Sequence, residues 1–534
     1  MIPTGNEGLK EANKIAKQDW SGIDMQDSLE VLIIGAGPTG LTLACELARR
    51  DIPFRIVEAS RGPQPGSRGK GLQARSLEVV DDLGIVERIL ANGKSGMPML
   101  STAPDGTTSI SGADPETPRP DVPYPLSLII PEWRVEEALR LRLEELGGSV
   151  DFDTSLRSLE QSKDRVSAVL MKNDQEETIQ VRWLIGCDGG HSLVRKEVGI
   201  AFEGETREDV RMIVADMEVD GLNREVWHAW RHEEGFLALC PLPSTNVFQY
   251  QASIAPGQNP ELSLMNMNAL LERRSRRTDI HLHEPEWKSL WRANIRLAAR
   301  YRERRVFIAG DAAHIHSPAG GQGMNTGIQD AHNLGWKLAA VTNGASTTLL
   351  DSYEAERRPV AADVLALSTT LLNEAIKERS VVLRRVASTT QLGINYRDSS
   401  LASDDRDDTA TLRAGDRAPD ATGLKTSKGT QRFFDLTRGG PFTLLNFGPA
   451  ISIEASFFDL QTLQVVEQPV STGDIADPDG QLAKAYGAGE RTLVLIRPDG
   501  YIALISDAGD SSAVRVYLSS IRDSGFAHSQ SETV

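Results

Sequence analysis

The stretch VLIIGAGPTGLTLACELARRDIPFRIVEAS, Val31 to Ser60, leaves this chain few folds to choose from. Val31 to Ile34 is an uninterrupted apolar run, as in a strand buried on both faces. Gly35, Gly37 and Gly40 follow as GxGxxG, with Pro38 and Thr39 inside the turn. Leu41, Leu43, Ala44, Leu47 and Ala48 then recur at helical spacing, and Phe54 to Val57 forms a second apolar run closed by Glu58. Strand, glycine turn, helix, strand and an acid about 20 residues beyond the turn make a dinucleotide-binding βαβ unit. Gly35 allows the tight turn, Gly37 lets the backbone approach a pyrophosphate, and Gly40 lets helix and strand pack closely. The helix start offers free N–H groups and a partial positive charge to phosphate. Glu58 is placed to accept hydrogen bonds from a ribose diol. An acid there disfavours a 2′-phosphate, so NAD and the ADP half of FAD both remain open at this turn.

One such unit accounts for a fraction of 534 residues, so two or three domains are expected. Lys plus Arg number 58 against 75 Asp plus Glu, a net charge of −17 that argues against nucleic acid or an anionic membrane as main partner. No apolar run approaches the ~20 residues of a membrane span. Met1 to Asp27 is polar and lacks the apolar core of a signal peptide, so residues 1–28 read as a flexible extension. Cys45, Cys187 and Cys240 are far apart and form no CxxC pair. No disulfide framework or zinc ribbon is expected, and a reducing cytoplasm suits the chain.

Two later segments repeat the strand-then-glycine plan. Trp183 to Cys187 leads into Asp188-Gly189-Gly190 and a helix starting near Ser192. Val306 to Ala309 leads into GDAAHIHSPAGGQGMN, Gly310 to Asn325, ahead of a long helix. Both put an Asp at the carboxyl end of a strand, where ligands lie in open α/β sheets. His314 and His316 lack the Cys or HExxH partners of a metal site, so no metal is expected. Ser317 lacks the GxSxG setting of a nucleophile elbow.

The turn at Gly35–Gly40, the DG segment Cys187–Arg195 and the GD segment Gly310–Asn325, in that order and spacing, resemble the single-component FAD-dependent aromatic hydroxylases of the para-hydroxybenzoate and phenol hydroxylase type. SRGKGLQARSLEVVDDLGI (Ser67–Ile85) and PEWRVEEALRLRLEELG (Pro131–Gly147) resemble that family's helices beside the flavin. The likeness spans Leu29 to Leu372. It implies FAD as cofactor, NADPH or NADH as co-substrate, and hydroxylation of a phenolic or polyketide-like small molecule through a flavin C4a-hydroperoxide. Baeyer–Villiger or epoxidising chemistry, or a flavoprotein that shields a reactive intermediate, are the alternatives on the same scaffold.

Roles follow from the likeness residue by residue. Glu58 would hold the adenosine ribose and Arg68 would lie by the pyrophosphate. Asp188 and Arg195 belong to the segment tied to FAD and NAD(P)H, and Asp311 would hold the ribityl or pyrophosphate part. Backbone N–H groups of Gly321, Gln322, Gly323, Met324 and Asn325 would face the pyrimidine end of the isoalloxazine, an anion-stabilising arrangement for reduced flavin. Pro318 would face flavin and substrate, the one residue expected at the reacting atoms. Where the family often has Gln this chain has Glu132, beside the ribityl chain. A carboxylate there must turn outward, bond a ribityl hydroxyl, or be protonated.

The expected fold is α/β: a Rossmann-like FAD domain (29–205 and 292–395) interleaved with an antiparallel substrate sheet (206–291). Within that sheet His228, His232, Gln249 and Tyr250 are candidates for substrate contact, while Trp227 and Trp230 read as packing. An acidic, apolar-poor stretch at 396–415 reads as a linker. Residues 416–534 resemble the thioredoxin-like domain that ends phenol and polyketide hydroxylases. They contain no cysteine, which excludes thiol redox chemistry and leaves structural support or contact in a homodimer.

Overall fold

The computed structural model describes residues 29–112, 119–317, 319–378, 387–407, 409–453 and 459–522. The expected extension 1–28 and the expected catalytic Pro318 lie outside the described residues.

Val31–Ile34 pairs in parallel with both Trp183–Gly186 and Phe54–Val57. Val306–Ile308 joins in parallel beside Trp183–Gly186, and Val150–Asp151 beside Phe54–Val57. Arg302–Glu303 closes one edge as an antiparallel strand. Val31, Leu32 and Ile33 have no exposed surface, which is why the run is apolar without alternation. Parallel pairing brings the ends of four strands to one edge of the sheet. Gly35, Glu58, Asp188 and Asp311, more than a hundred residues apart in the last two steps, thereby become neighbours along one crevice.

The second sheet is antiparallel at its centre. Its spatial order is His314–Ile315, Trp287–Ala298, Phe202–Asp220, Val247–Ile254, Gly235–Pro241, Trp227–His232, Met99–Thr102 and Thr108–Ser111. It exceeds the expected bounds 206–291 on both sides: Trp287–Ala298 lies wholly within it, and the FAD domain lends it two further pieces. Helix Leu264–Ser275 covers one face, with Met267, Leu270 and Leu271 against Ile213, Ala215, Met217 and Tyr250. The opposite face looks toward the crevice of the first sheet.

The C-terminal sheet runs Ser403–Asp404, Ile502–Ser506, Leu493–Ile496, Phe442–Asn446, Leu460–Val465, Asp474–Ile475. The segment 396–415, expected as a linker, is built into it. Ser403–Asp404 pairs with Ile502–Ser506, and Tyr396, Leu401 and Ala414 are buried. Its acids are there to be paired: Asp404 accepts from the Ala414 N–H at 2.7 Å and meets Arg413 at 3.2 Å. The domain is fused to its neighbour through a shared apolar core, with Trp336 edge-on to Phe442 at 5.6 Å. Ion pairs line the same contact, most of them buried. Arg497 is bidentate on Glu356 at 2.6 and 2.9 Å, and Lys337 meets Glu356 at 2.6 Å. Arg417 reaches Glu78 at 2.9 Å, and Arg438 reaches Asp81 at 2.7 Å.

Candidate active site

A cavity of about 1040 Å³ runs from the dinucleotide turn to the antiparallel sheet. That is at the top of the roughly 300–1,000 Å³ usual for ligand pockets, so a large cofactor and a second molecule can share it. The glycines at its cofactor end differ in what surrounds them. Gly35 has φ +100°, closed to ordinary side chains, and a Cβ on Gly40 would overlap the Gly35 carbonyl oxygen. A Cβ on Gly37 would meet nothing within 4 Å, so that backbone stands open to a ligand. Pro38 opens the helix Pro38–Ala48, and Thr39 is wedged against Gly310 and Gly327, tying the first turn to the third motif. Glu58 is fixed by two backbone donors, Ala36 N–H at 2.9 Å and Ser60 N–H at 3.0 Å.

Asp188 caps the next helix through one carboxylate oxygen, which accepts from the N–H of Leu193 (2.7 Å) and Val194 (3.1 Å). Its other oxygen, Oδ1, is buried without a hydrogen-bond partner among the described residues, in a residue that lines the cavity. An orphan acceptor of this kind calls for a donor from a ligand, such as a ribityl or ribose hydroxyl. Arg195 is not on the wall. It bonds the carbonyls of Ala312 (2.8 Å) and Gly190 (2.9 Å) and lies 3.8 Å over the Phe202 ring. Its work is to clamp the second glycine loop to the third. Asp311 faces the cavity, and burial pushes its carboxyl up.

The third loop ends in helix Gly323–Thr342. The Asn325 side chain locks that loop: its Oδ1 accepts from Gln73 N–H (2.7 Å) and its Nδ2 donates to Gly71 and Gly321 carbonyls (3.0 and 2.8 Å). Gln322 is likewise spent inward, donating to Gly320 and Thr389 carbonyls and accepting from Gln391. The first-turn N–H groups of Gly323, Met324 and Asn325, three residues that line the cavity, precede the first intrahelical bond, at Thr326. His314 belongs to the scaffold, bonding Asp330 at 2.6 Å, with Arg357 on the other oxygen at 2.7 Å. His316 stacks on it at 5.8 Å, and burial lowers its pKa to about 3, so it is a neutral ring.

Arg68 lines the cavity with its guanidinium 3.3 Å from Glu136 and 3.8 Å from Glu132. Of the three options for Glu132, the outward one does not occur: the side chain packs against Gly69 on the cavity wall. Burial, with Asp311 nearby, pushes Glu132 above the usual carboxylate range, against the pull of Arg68. Glu136 is raised to about 7, chiefly by burial and then by Glu132. Burial thus pushes both acids toward their neutral forms beside an anionic ligand. An open glycine turn, an orphan acid oxygen, free helix N–H groups and an arginine between neutralisable acids fit the pyrophosphate, ribityl chain and ring of FAD.

Comparison with known proteins agrees. The FAD binding domain family model matches residues 28–368, and that of the aromatic-ring hydroxylase C-terminal domain matches 411–523. The chain belongs to the FAD-dependent aromatic-ring hydroxylases. It is an FAD-dependent monooxygenase that uses NAD(P)H and O2 to hydroxylate an aromatic ring. A flavin-dependent monooxygenase of Mycobacteroides abscessus is 42% identical over 491 residues, 90% of this chain and 98% of that one. The 6-methylpretetramide 4-monooxygenase of Streptomyces rimosus is 33% identical, covering 89% and 90%. The crystal structure of aklavinone-11 hydroxylase with FAD and aklavinone superposes with a TM-score of 0.80 at 26% identity, covering 93% and 99%.

In this hydroxylase the inward face of the antiparallel sheet forms the other wall of the cavity. Of the residues expected there, Gln249 lines the cavity. Tyr250, its neighbour, points to the opposite face, fully buried under helix Leu264–Ser275 with its hydroxyl 3.3 Å from the Met267 carbonyl. His228 also points away, its Nε2 2.9 Å from the Asn223 carbonyl, and His232 sits at a strand end engaged with the Glu234 N–H. Period-two alternation forbids Gln249 and Tyr250 from sharing a face, and a sequence without a known inward side could not choose between them. Trp227, read as packing, lies on the wall together with Met212, Val214, Phe236, Trp287 and Trp291. Lys70, inside the segment likened to the flavin-side helix, is on the wall as well. A helix-type resemblance hid it, because Gly71–Leu72 is a short strand and the helix begins only at Ala74.

Proposed function

We propose that this hydroxylase acts on a polycyclic phenol of the polyketide type. The observation that carries the reading is the second half of the cavity: it is wide, and most of its wall is aromatic or aliphatic (Trp227, Phe236, Trp287, Trp291, Met212, Leu372), with a few polar groups from Gln249, Gln251, Ser289 and Lys70. Such a wall excludes water and holds flat apolar rings, while the sparse polar groups orient oxygen substituents. Relatives named for 6-methylpretetramide and for aklavinone support the same class.

Bound FAD supplies the redox chemistry, taking electrons from NAD(P)H and activating O2. The chain's residues bind and tune it. Gly35, Gly37 and Gly40 with Pro38 and Thr39 shape the pyrophosphate turn, and Glu58 takes the ribose. Arg68 balances phosphate charge, and burial of Glu132 and Glu136 favours their neutral forms beside it. Asp188 and Asp311 accept from hydroxyls, and the N–H groups of Gly323 to Asn325 favour negative charge on the pyrimidine side. Pro318, expected from the family likeness to face the reacting atoms, belongs to the same proposal. Four central C-terminal strands lie in the order Ile502–Ser506, Leu493–Ile496, Phe442–Asn446, Leu460–Val465, with only the last pair parallel. That order supports a thioredoxin-like domain with a supporting role.

Stopped-flow reduction by NADPH and NADH, with and without polycyclic phenols, tests the reading. A member of the panel that speeds flavin reduction and acquires one oxygen atom from 18O2 is the expected result. Stimulation confined to single-ring phenols, or none by any phenol, refutes the substrate class.

A further inference from the structure

Lys70 occupies an unusual place for an ammonium group. It lines the cavity, and Nζ sits 4.3 Å over the Trp227 ring. Its hydrogen-bond partner is the neutral Gln249 Oε1, which also accepts from Gln251 Nε2 at 3.0 Å. The charge-bearing groups that face it are Asp216 and the Cys240 thiol, with Glu286 behind Asp216. Asp216 is already engaged: Ser67 donates to it from N–H (2.6 Å) and Oγ–H (2.5 Å). Among the described residues no carboxylate oxygen is within 4.0 Å of Lys70 Nζ.

Gln249 is fixed in turn. Its Nε2 donates to the Ser67 carbonyl and, at 2.7 Å, to Ser67 Oγ. Ser67, Gln249 and Asp216 therefore lock the Ser67–Lys70 segment to the sheet and hold the lysine head in one place on a mostly apolar wall. A cation held this way, without a carboxylate of its own, suits a site whose ligand brings the negative charge.

We propose that Lys70 receives an ionised oxygen of the substrate, a phenolate or enolate, and with Gln249 fixes the orientation of the substrate ring in the cavity. This rests on the reading that the cavity takes a phenol. The phenol O–H bond breaks with its proton released to solvent, Lys70 remains an ammonium, and the ring gains electron density for attack on an electrophilic oxygen. Lys70 is thus a substrate-binding and specificity residue for acidic phenols.

Alizarin, a dihydroxyanthraquinone whose colour reports its ionisation, is the probe. It is titrated into oxidised holoenzyme across a pH series, and difference spectra give the ionisation midpoint of the bound dye. The wild type is expected to lower that midpoint by about one unit or more relative to free dye. Lys70→Met is expected to abolish the shift and to weaken binding of the ionised dye about tenfold, while Lys70→Arg keeps most of both. Flavin content of each variant is read from its visible absorbance, and if K70M loses FAD the comparison is made with Lys70→Gln. A wild type that binds alizarin without a shift, or does not bind it, overturns the inference, as does a shift retained in K70M or K70Q. No turnover enters this readout. A Lys70-dependent shift without phenol-stimulated NAD(P)H oxidation refutes the substrate reading instead, and stimulated oxidation with a shift indifferent to Lys70 refutes only the role of Lys70.

Discussion

Replacing Glu136 by Gln makes a quantitative test of the cofactor site. Glu136 is buried, 3.3 Å from Arg68, with its carboxyl raised to about 7 from an ordinary 4.5. In the free protein it is half ionised at pH 7 and about nine-tenths ionised at pH 8. A pyrophosphate beside Arg68 adds negative charge and competes for the guanidinium, which raises the Glu136 pKa further. Binding of FAD then takes up a proton. The sign follows: affinity is full below pH 7 and falls as pH rises through the free-site value. Forcing the proton on at pH 8 costs about 1.4 kcal/mol, one pH unit's worth, or roughly a factor of ten in Kd.

Apoprotein titrated with FAD, followed by flavin fluorescence at pH 6, 7 and 8, reads this directly. Wild type should lose about fivefold in affinity from pH 7 to 8. E136Q should bind FAD as wild type does at pH 6 and about tenfold more tightly than wild type at pH 8. Calorimetry in two buffers of different ionisation enthalpy should show close to one proton taken up at pH 8 by wild type and none attributable to this site in the variant. The reasoning is refuted if both proteins share one pH profile. It is refuted equally if E136Q binds FAD more weakly at every pH, since Glu136 would then be acting as the carboxylate that holds Arg68.

Two further changes probe other parts of the molecule. Gly40→Ala puts a methyl into the Gly35 carbonyl oxygen, so the protein should be recovered folded but with little flavin, read from the flavin-to-protein absorbance ratio; full FAD content contradicts the close packing of that turn. Arg497→Met leaves Glu356 with a buried, partly unpaired charge and should destabilise by about 3–5 kcal/mol, whereas the double variant with Glu356→Met should recover part of that in the thermal unfolding of holoenzyme.

Much of the cofactor half was legible in the chain because its signals are local. A glycine turn must follow a buried strand and precede a helix, and Glu58 must end the next strand; neither depends on the rest of the fold. The three motifs name their own positions, and parallel pairing then brings them together. The substrate half depended on something no local pattern carries. His228, Gln249 and Tyr250 were chosen by type, and only the helix packed on one face shows that Gln249 alone of the three looks into the cavity. Arg195 was assigned to ligand but serves the scaffold, because an arginine's reach of several bonds lets it turn either way from the same backbone position. The 396–415 segment misled for a related reason: charges read as solvated when their partners, Arg406 with Asp507 among them, are distant in sequence.

The register of the antiparallel sheet carries a consequence for how such enzymes diversify. Met212 lies across from Trp291, Val214 from Ser289 and Gln251, and Asp216 from Trp287 and Gln249. These eight positions form a small lattice of adjacent tiles, all but Asp216 bordering the cavity, and each tile's chain neighbours face the other way. A lineage can exchange one tile and reshape the floor under a new ring system while the residues that hold the sheet to its helix stay as they were. Asp216, tied to Ser67, is the tile least free to change, since moving it would shift the strap that reaches from the cofactor to the substrate floor.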